Sequence, residues 1–81
     1  MFMKIGKYTA VIHEEDGGFV SLCPELDVAS QGDSVEDALK NLKEAVELFL
    51  EIASEEEVER RELHTVFVTQ FEAEDRSLVH A

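Results

Sequence analysis

The stretch Gly32-Asp33-Ser34-Val35-Glu36-Asp37-Ala38-Leu39-Lys40-Asn41-Leu42-Lys43-Glu44-Ala45-Val46-Glu47-Leu48-Phe49-Leu50 reads as an amphipathic helix with a sharp start, and the rest of the chain is organised around it. The Ser34 hydroxyl can accept a hydrogen bond from an unpaired N–H of the first turn, which makes it an N-cap, and Asp37 three residues later gives a variant of the capping box. Glu36 and Asp37 place negative charge at the positive end of the helix dipole. Val35, Ala38, Leu39, Leu42, Ala45, Val46, Phe49 and Ala53 recur at i, i+3, i+4 and i+7 spacing, so one stripe is apolar and must be buried. Glu36, Lys40, Lys43, Glu44, Glu47 and Glu51 take the opposite face, where Glu36 with Lys40 and Lys43 with Glu47 are i, i+4 pairs. Leu48 and Leu50 widen the apolar surface of the last turns beyond the needs of a two-layer domain, which points to a second burial partner.

Three strands are expected upstream of this helix. Lys7 to His13 is rich in β-branched and aromatic residues, with Tyr8, Ala10 and Ile12 on one face and Thr9, Val11 and His13 on the other. Glu14 to Gly18 is a turn whose Asp16, Gly17 and Gly18 tolerate positive φ, so a hairpin leads into Phe19 to Cys23. Pro24 ends that strand because it has no N–H to donate. Pro24 to Asp27 is a second turn and Val28 to Gly32 a short third strand. Gly32 is expected to hold a backbone conformation that other residues avoid.

Downstream, Ser54 to Glu62 carries five glutamates against Arg60 and Arg61 and reads as a solvated connection or a frayed extension of the helix. Leu63-His64-Thr65-Val66-Phe67-Val68-Thr69-Gln70-Phe71 has the strongest strand propensity in the chain. Leu63, Phe67 and Phe71 share one face and Val66 and Val68 the other. One face is expected to meet the helix and the other a partner, since one helix covers only one side of a sheet. The polar tail, residues 72–81, embeds Leu78 and Val79. The order strand, strand, strand, helix, strand gives an α/β (α+β) single domain over residues 1–81. A right-handed crossover from strand three to a parallel strand four allows the sheet order 3-2-1-4.

A chain of 81 residues makes one domain with a thin core, and oligomerisation is a common route to further burial at this size. The charge balance is more telling: 19 acidic against 7 basic residues give a formal net charge of −12. Nucleic-acid affinity comes mainly from Lys and Arg displacing counterions, so direct DNA or RNA binding is not expected. An acidic surface favours capture of a basic protein, although it also serves solubility alone. Cys23 is the one cysteine, which excludes a disulfide framework and makes a reducing cytoplasm the default compartment. No apolar run approaches the length of a membrane span, and the first residues lack a signal-peptide core.

Tyr8-Thr9-Ala10-Val11, then Asp16-Gly17-Gly18-Phe19-Val20, Cys23-Pro24-Glu25-Leu26, Gln31-Gly32-Asp33-Ser34, and Glu36-Asp37-Ala38 with Asn41 and Glu44-Ala45 form five ordered motifs. Together they resemble the HicB-type antitoxin family, over residues 8–50. The resemblance implies a trimmed ribonuclease-H-like fold and an antitoxin that binds and neutralises HicA, a small basic toxin that cleaves messenger RNA. The motif residues Tyr8, Gly17, Gly18, Pro24, Gly32, Asp33, Ser34, Ala38 and Asn41 look architectural and do not locate the toxin contact. The sequence departs from many members in lacking a Pro-Gly-Cys-like turn between Leu26 and Gly32. It also ends near Ala81 without a helix-turn-helix or ribbon-helix-helix domain, so it is read as a short form.

No catalytic constellation emerges beside this resemblance. Two-metal phosphodiester chemistry needs several carboxylates converging on one point, and the stretch from Lys7 to His13 holds none. Glu14, Glu15 and Asp16 are consecutive turn residues, best read as solvated. His13, His64 and His80 lack metal-site spacing, although His13 and His64 would approach if strands one and four were neighbours. Cys23 has no activating base, Ser34 is a helix cap, and Gly17-Gly18 sits in a hairpin rather than a phosphate loop. The expectation is a binding protein without metal or cofactor: an antitoxin partnered by a HicA-like toxin, or else a solitary interaction module. In either case a homodimer or higher oligomer would use the uncovered sheet face or the fourth strand.

Overall fold

Glycine and asparagine-like turn geometry at Asp16-Gly17 starts the fold. In the computed structural model, which describes residues 6–75, both residues have positive φ, 50° and 82°. Two such residues form the tight turn whose twist matches that of the flanking strands. It joins β1 (Val11–Glu15) to β2 (Gly18–Cys23), with Glu15 opposite Gly18 and Val11 opposite Leu22. β2 then pairs antiparallel with β3 (Val28–Gly32), Phe19 facing Gly32 and Cys23 facing Val28. The sheet has the order β1-β2-β3.

Helix α1 (Val35–Ile52) begins as its sequence dictates. Ser34 Oγ accepts the Asp37 N–H at 3.0 Å, and the Ala38 N–H donates to the Ser34 carbonyl at 2.9 Å. The helix lies over β3 and β2 and only grazes β1. Ala38, Leu42 and Val46 are its buried positions. The stripe is therefore only half used, since Val35 and Leu39 remain about half exposed. Leu42 and Val46 join Cys23 and Leu26 in the core, with Tyr8, Val28, Phe49 and Leu50 packed against it. Ser21, fully buried on the helix side of β2, donates its hydroxyl to the Ala38 carbonyl at 2.9 Å and so ties sheet to helix. A buried hydroxyl without such a partner would carry a desolvation penalty.

The mixed α+β single domain matches the sequence-based expectation, with three corrections to its elements. The first strand starts at Val11 rather than Lys7. Opposite Val11 to Glu15 lie Gly18 to Leu22, but beyond Cys23 the chain turns at Pro24, so Lys7 to Ala10 have no ladder to join. The Thr9 N–H goes instead to the Glu25 carboxylate. Ala53 closes α1, and Ser54 opens a second helix, α2 (Glu55–Glu62), where a solvated connection or frayed extension was expected.

The third correction is the largest. Residues 63–71 form no strand with any described part of their own chain, so the expected order 3-2-1-4 reduces to 3-2-1. The segment is irregular, with Leu63, Phe67, Val68 and Phe71 all more than two-thirds exposed. Strand propensity alone fixes nothing without a partner ladder to satisfy the backbone. Residues 76–81, which include Leu78, Val79 and His80 of the polar tail, lie outside the described residues.

Candidate protein-interaction surface

Each motif residue of the described chain has a place in the frame. Gly17 takes a positive φ in the hairpin turn. Gly18 lies close to the neighbouring strands, where a Cβ would meet the Gly32 carbonyl oxygen at 3.3 Å. Pro24 begins the turn that separates β2 from β3. Gly32 is required for a different reason from the one expected. Its φ is not positive; a Cβ there would lie 2.5 Å from Ala38 N and 2.7 Å from the Asp37 carbonyl carbon. The end of β3 thus abuts the first turn of α1, and only hydrogen fits between them. Asn41 reinforces the same junction by donating from Nδ2 to the Gln31 carbonyl at 2.7 Å. Asp33 is an exposed bend residue between the two elements.

A second junction was not legible as a site. Glu25 stands in the turn after β2, where its carboxylate receives the Thr9 N–H at 3.0 Å and the Thr9 hydroxyl at 2.6 Å. Cys23 Sγ lies 3.6 Å from the same group. Partial burial acts to raise the Glu25 pKa, but the hydrogen bonds from Thr9 outweigh it and hold the carboxyl below its ordinary range. Its contribution to stability is therefore present above the unfolded-state pKa and lost as pH falls through the lower folded value. Glu25→Gln should flatten the acid limb of a plot of unfolding midpoint against pH, most visibly between about pH 5 and 3, measured by thermal melts followed by circular dichroism. Burial pushes the Cys23 thiol upward, with Glu25 adding to the rise, and the side chain is packed in the core.

The third junction holds α2. Ser54 Oγ accepts the Glu57 N–H at 3.1 Å, and Glu57 in turn pairs with Arg60 and with Arg61 Nε at 2.8 Å. Arg61 also donates to the Leu26 carbonyl and stacks its guanidinium 4.6 Å from the centre of the Phe49 ring. The Tyr8 hydroxyl donates to Glu62 Oε2 at 3.0 Å. Partial burial and then this bond to Glu62 push the Tyr8 pKa upward. Arg61→Ala removes the guanidinium's links to Leu26, Phe49 and Glu57 at once. It should cost about 1–2 kcal/mol and release the short helix first, seen as loss of amide protection across residues 55–62 in hydrogen exchange.

What these junctions leave open defines the surface. Because α1 is offset toward β3, a groove of about 720 Å³ runs between the chain at Gly6 to Ala10 and the helix, walled by Tyr8, Ala10, Leu39, Leu42, Val46 and Leu50. On the other side of the sheet, Val11 and Leu22 face each other and are both exposed. A second hollow, at the β3–α1 junction, is lined by Asp16, Asp33, Asp37 and Asn41 among others and is polar. His13 sits on the outer face with Nε2 3.1 Å from Glu15 Oε2, both side chains exposed. His64 follows α2 in the exposed segment, so the expected approach of His13 and His64 through neighbouring strands does not arise. Glu14 and Glu15 belong to β1 rather than to the turn. Among the described residues, no three His, Cys, Asp or Glu side chains are grouped to hold a metal ion. No helix among them is long and apolar enough to cross a membrane.

Residues 6–80 match a family of unknown function, DUF7387. The chain belongs to that family. It is also 41% identical over 64 residues to a UPF0150 protein of Synechocystis sp., a match spanning 74% of this chain and 81% of the relative. A UPF0150 protein of Helicobacter pylori is 48% identical over 42 residues, covering 51% of this chain and 58% of its own length. A second Synechocystis UPF0150 protein is 44% identical over 45 residues, covering 53% and 62%. The first relative thus shares most of the family domain, and the other two share a shorter stretch of it. No solved structure matches the chain.

Proposed function

We propose that this protein is an antitoxin of the HicB type, which neutralises a small basic HicA-like ribonuclease by covering its surface. The observation that carries the proposal is the pairing of the five HicB-like motifs with a net charge of −12 on so small a domain. The motifs account for the frame: hairpin turn, strand stop, crowded glycine and helix cap. The charge accounts for the partner, because an acidic surface accelerates and orients encounter with a basic protein and repels RNA. Exposed Val11, Leu22 and Leu39 provide apolar contact area that such an encounter would bury. Function on this view is binding, without metal or cofactor, in the reducing cytoplasm where a free Cys23 is stable.

The test is co-expression with the short reading frame beside the gene, scored by growth and by co-purification. Rescue from a toxic neighbour, with a stable complex whose association slows as salt is raised, is the expected outcome. A purified neighbour that still cleaves RNA in the presence of excess of this chain overturns the proposal. The second possibility is a solitary oligomeric interaction module of the same fold. It is favoured by the uncovered apolar segment at residues 63–71, which a toxin-binding role does not by itself require.

A further inference from the structure

In a chain with 32% charged residues, the nine from Leu63 to Phe71 include no Asp, Glu, Lys or Arg, and acidic residues flank them on both sides. The sequence is that of a half-buried strand, yet among the described residues it forms no ladder, and Phe67 and Phe71 are 84% and 87% exposed. At the same time the groove beside Tyr8 and Ala10 is open, and its apolar walls come from the helix stripe that β1 leaves uncovered. β1 is an edge strand of the described sheet next to that groove, and the chain leading into it gives its Thr9 N–H to the Glu25 carboxylate. An apolar strand without a ladder and a strand edge with an apolar wall are complementary needs.

We propose that the occupant of the groove is residues 63–71 of a second copy of this chain, exchanged reciprocally so that each copy's segment becomes the fourth strand of the other's sheet. The proposal concerns self-association and is tested without any toxin, although it draws on Leu39 and Val11, which the antitoxin reading also offers to a partner. The exchanged strand lies beside β1 and completes the order 3-2-1-4 across two chains. Its Leu63, Phe67 and Phe71 face meets Leu39, Leu42, Val46 and Leu50, while Val66 and Val68 face outward beside Val11. The free backbone groups of both edges are paired, which removes the hazard of an open apolar edge. A two-fold arrangement makes every contact twice. With roughly 150–250 Å² for each buried aromatic and matching area from the groove walls, the doubled contact reaches about 1,200–2,000 Å², the size of a standard stable interface. A strongly basic partner gains little from this groove, because its walls are apolar and the charges on its rim, Lys40 and Lys43 against Glu36 and Glu47, balance.

The test uses the full chain alone. Sedimentation velocity at micromolar concentration is expected to show a dimer, and Phe67→Asp with Phe71→Asp to raise its dissociation constant by about 100-fold or more, as loss of central aromatic anchors does. The helical circular dichroism signal of that variant should persist, because neither residue packs in its own chain. The second measurement needs no variant. In a mixed sample of isotope-labelled and unlabelled wild-type chains, filtered nuclear Overhauser contacts from the Phe67 and Phe71 rings to Tyr8, Ala10 or Leu39 of the other copy are expected. A monomeric wild type overturns the proposal, and so does a dimer unaffected by the double substitution. Contacts confined to one chain, showing the segment folded back on its own groove, overturn it as well.

Discussion

Gly32→Ala is expected to destabilise the domain by about 3 kcal/mol or more, with the unfolding transition in urea shifted far toward zero denaturant. One methyl group is enough because of what it meets. The added Cβ would sit 2.5 Å from Ala38 N, 2.7 Å from the Asp37 carbonyl carbon and 2.8 Å from Asp37 Cβ. Two of these are backbone atoms of the first helical turn, pinned by the Ser34 cap and by the Ala38 N–H bond to Ser34, so they cannot swing aside as a long side chain would. Relief requires lifting the start of α1 off β3, and that lift also stretches the Ser21 to Ala38 and Asn41 to Gln31 hydrogen bonds. A domain of 81 residues has roughly 4–12 kcal/mol of stability in total, so the loss is a large share of it. Gly17→Ala, by contrast, meets nothing within 4 Å and bears only the strain of its 82° φ, so its effect should be about 1 kcal/mol. The comparison separates crowding from backbone preference, the two reasons a turn glycine can be needed.

Local chemistry was legible in the sequence wherever one residue's own physics decided the outcome. Ser34 caps α1, Asp16-Gly17 turns the hairpin, Pro24 stops β2, and Val28 to Gly32 form β3 with the expected ends. Gly32 was singled out for a backbone conformation that other residues avoid, whereas its φ is not positive and its constraint is crowding against Ala38, a fact about two elements that no φ preference announces. The same limit applies to α2. Ser54 with Glu57 three residues later repeats the capping signal of α1, and acidic first-turn with basic last-turn residues complement the dipole, so its existence could have been found. What hid it was the density of glutamates, which resembles a solvated connector. Arg61's reach to Leu26, 35 residues away, has no sequence signature at all. The fourth strand failed for a further reason. Its alternation and β-branched content describe a segment fit for a ladder, but the ladder must be supplied by the fold, and no described strand of this chain supplies it. The candidate surface follows the same division: its charge is composition and was legible, whereas the groove exists because α1 sits over β3 rather than β1.

Leu26→Ala should have the second large effect, about 3 kcal/mol in equilibrium unfolding and a visible loss of order in α2. Leu26 stands in the Pro24 to Asp27 turn, a position that sequence patterning assigns to the surface. Yet it has no solvent exposure and is the largest fully buried side chain among the described residues. The turn achieves this through Asp27, whose φ of 55° reverses the chain immediately after Leu26 and points β3 back along β2. The leucine side chain then fills the space among Cys23, Leu42 and Val46. Truncation to alanine leaves a cavity in a core of few residues, where few neighbours can relax into it, so the cost belongs in the upper part of the usual range for such losses. The residue also acts through its backbone, since its carbonyl receives the Arg61 guanidinium that fastens α2. A turn that shifts to collapse the cavity moves that carbonyl. Loss at Leu26 should therefore propagate to Arg61, Phe49 and the Tyr8–Glu62 bond, so the Leu26→Ala and Arg61→Ala effects should fall short of additivity. A double-mutant cycle read by urea unfolding measures that coupling. An interaction term below about 0.5 kcal/mol would mean that α2 is fastened independently of the core.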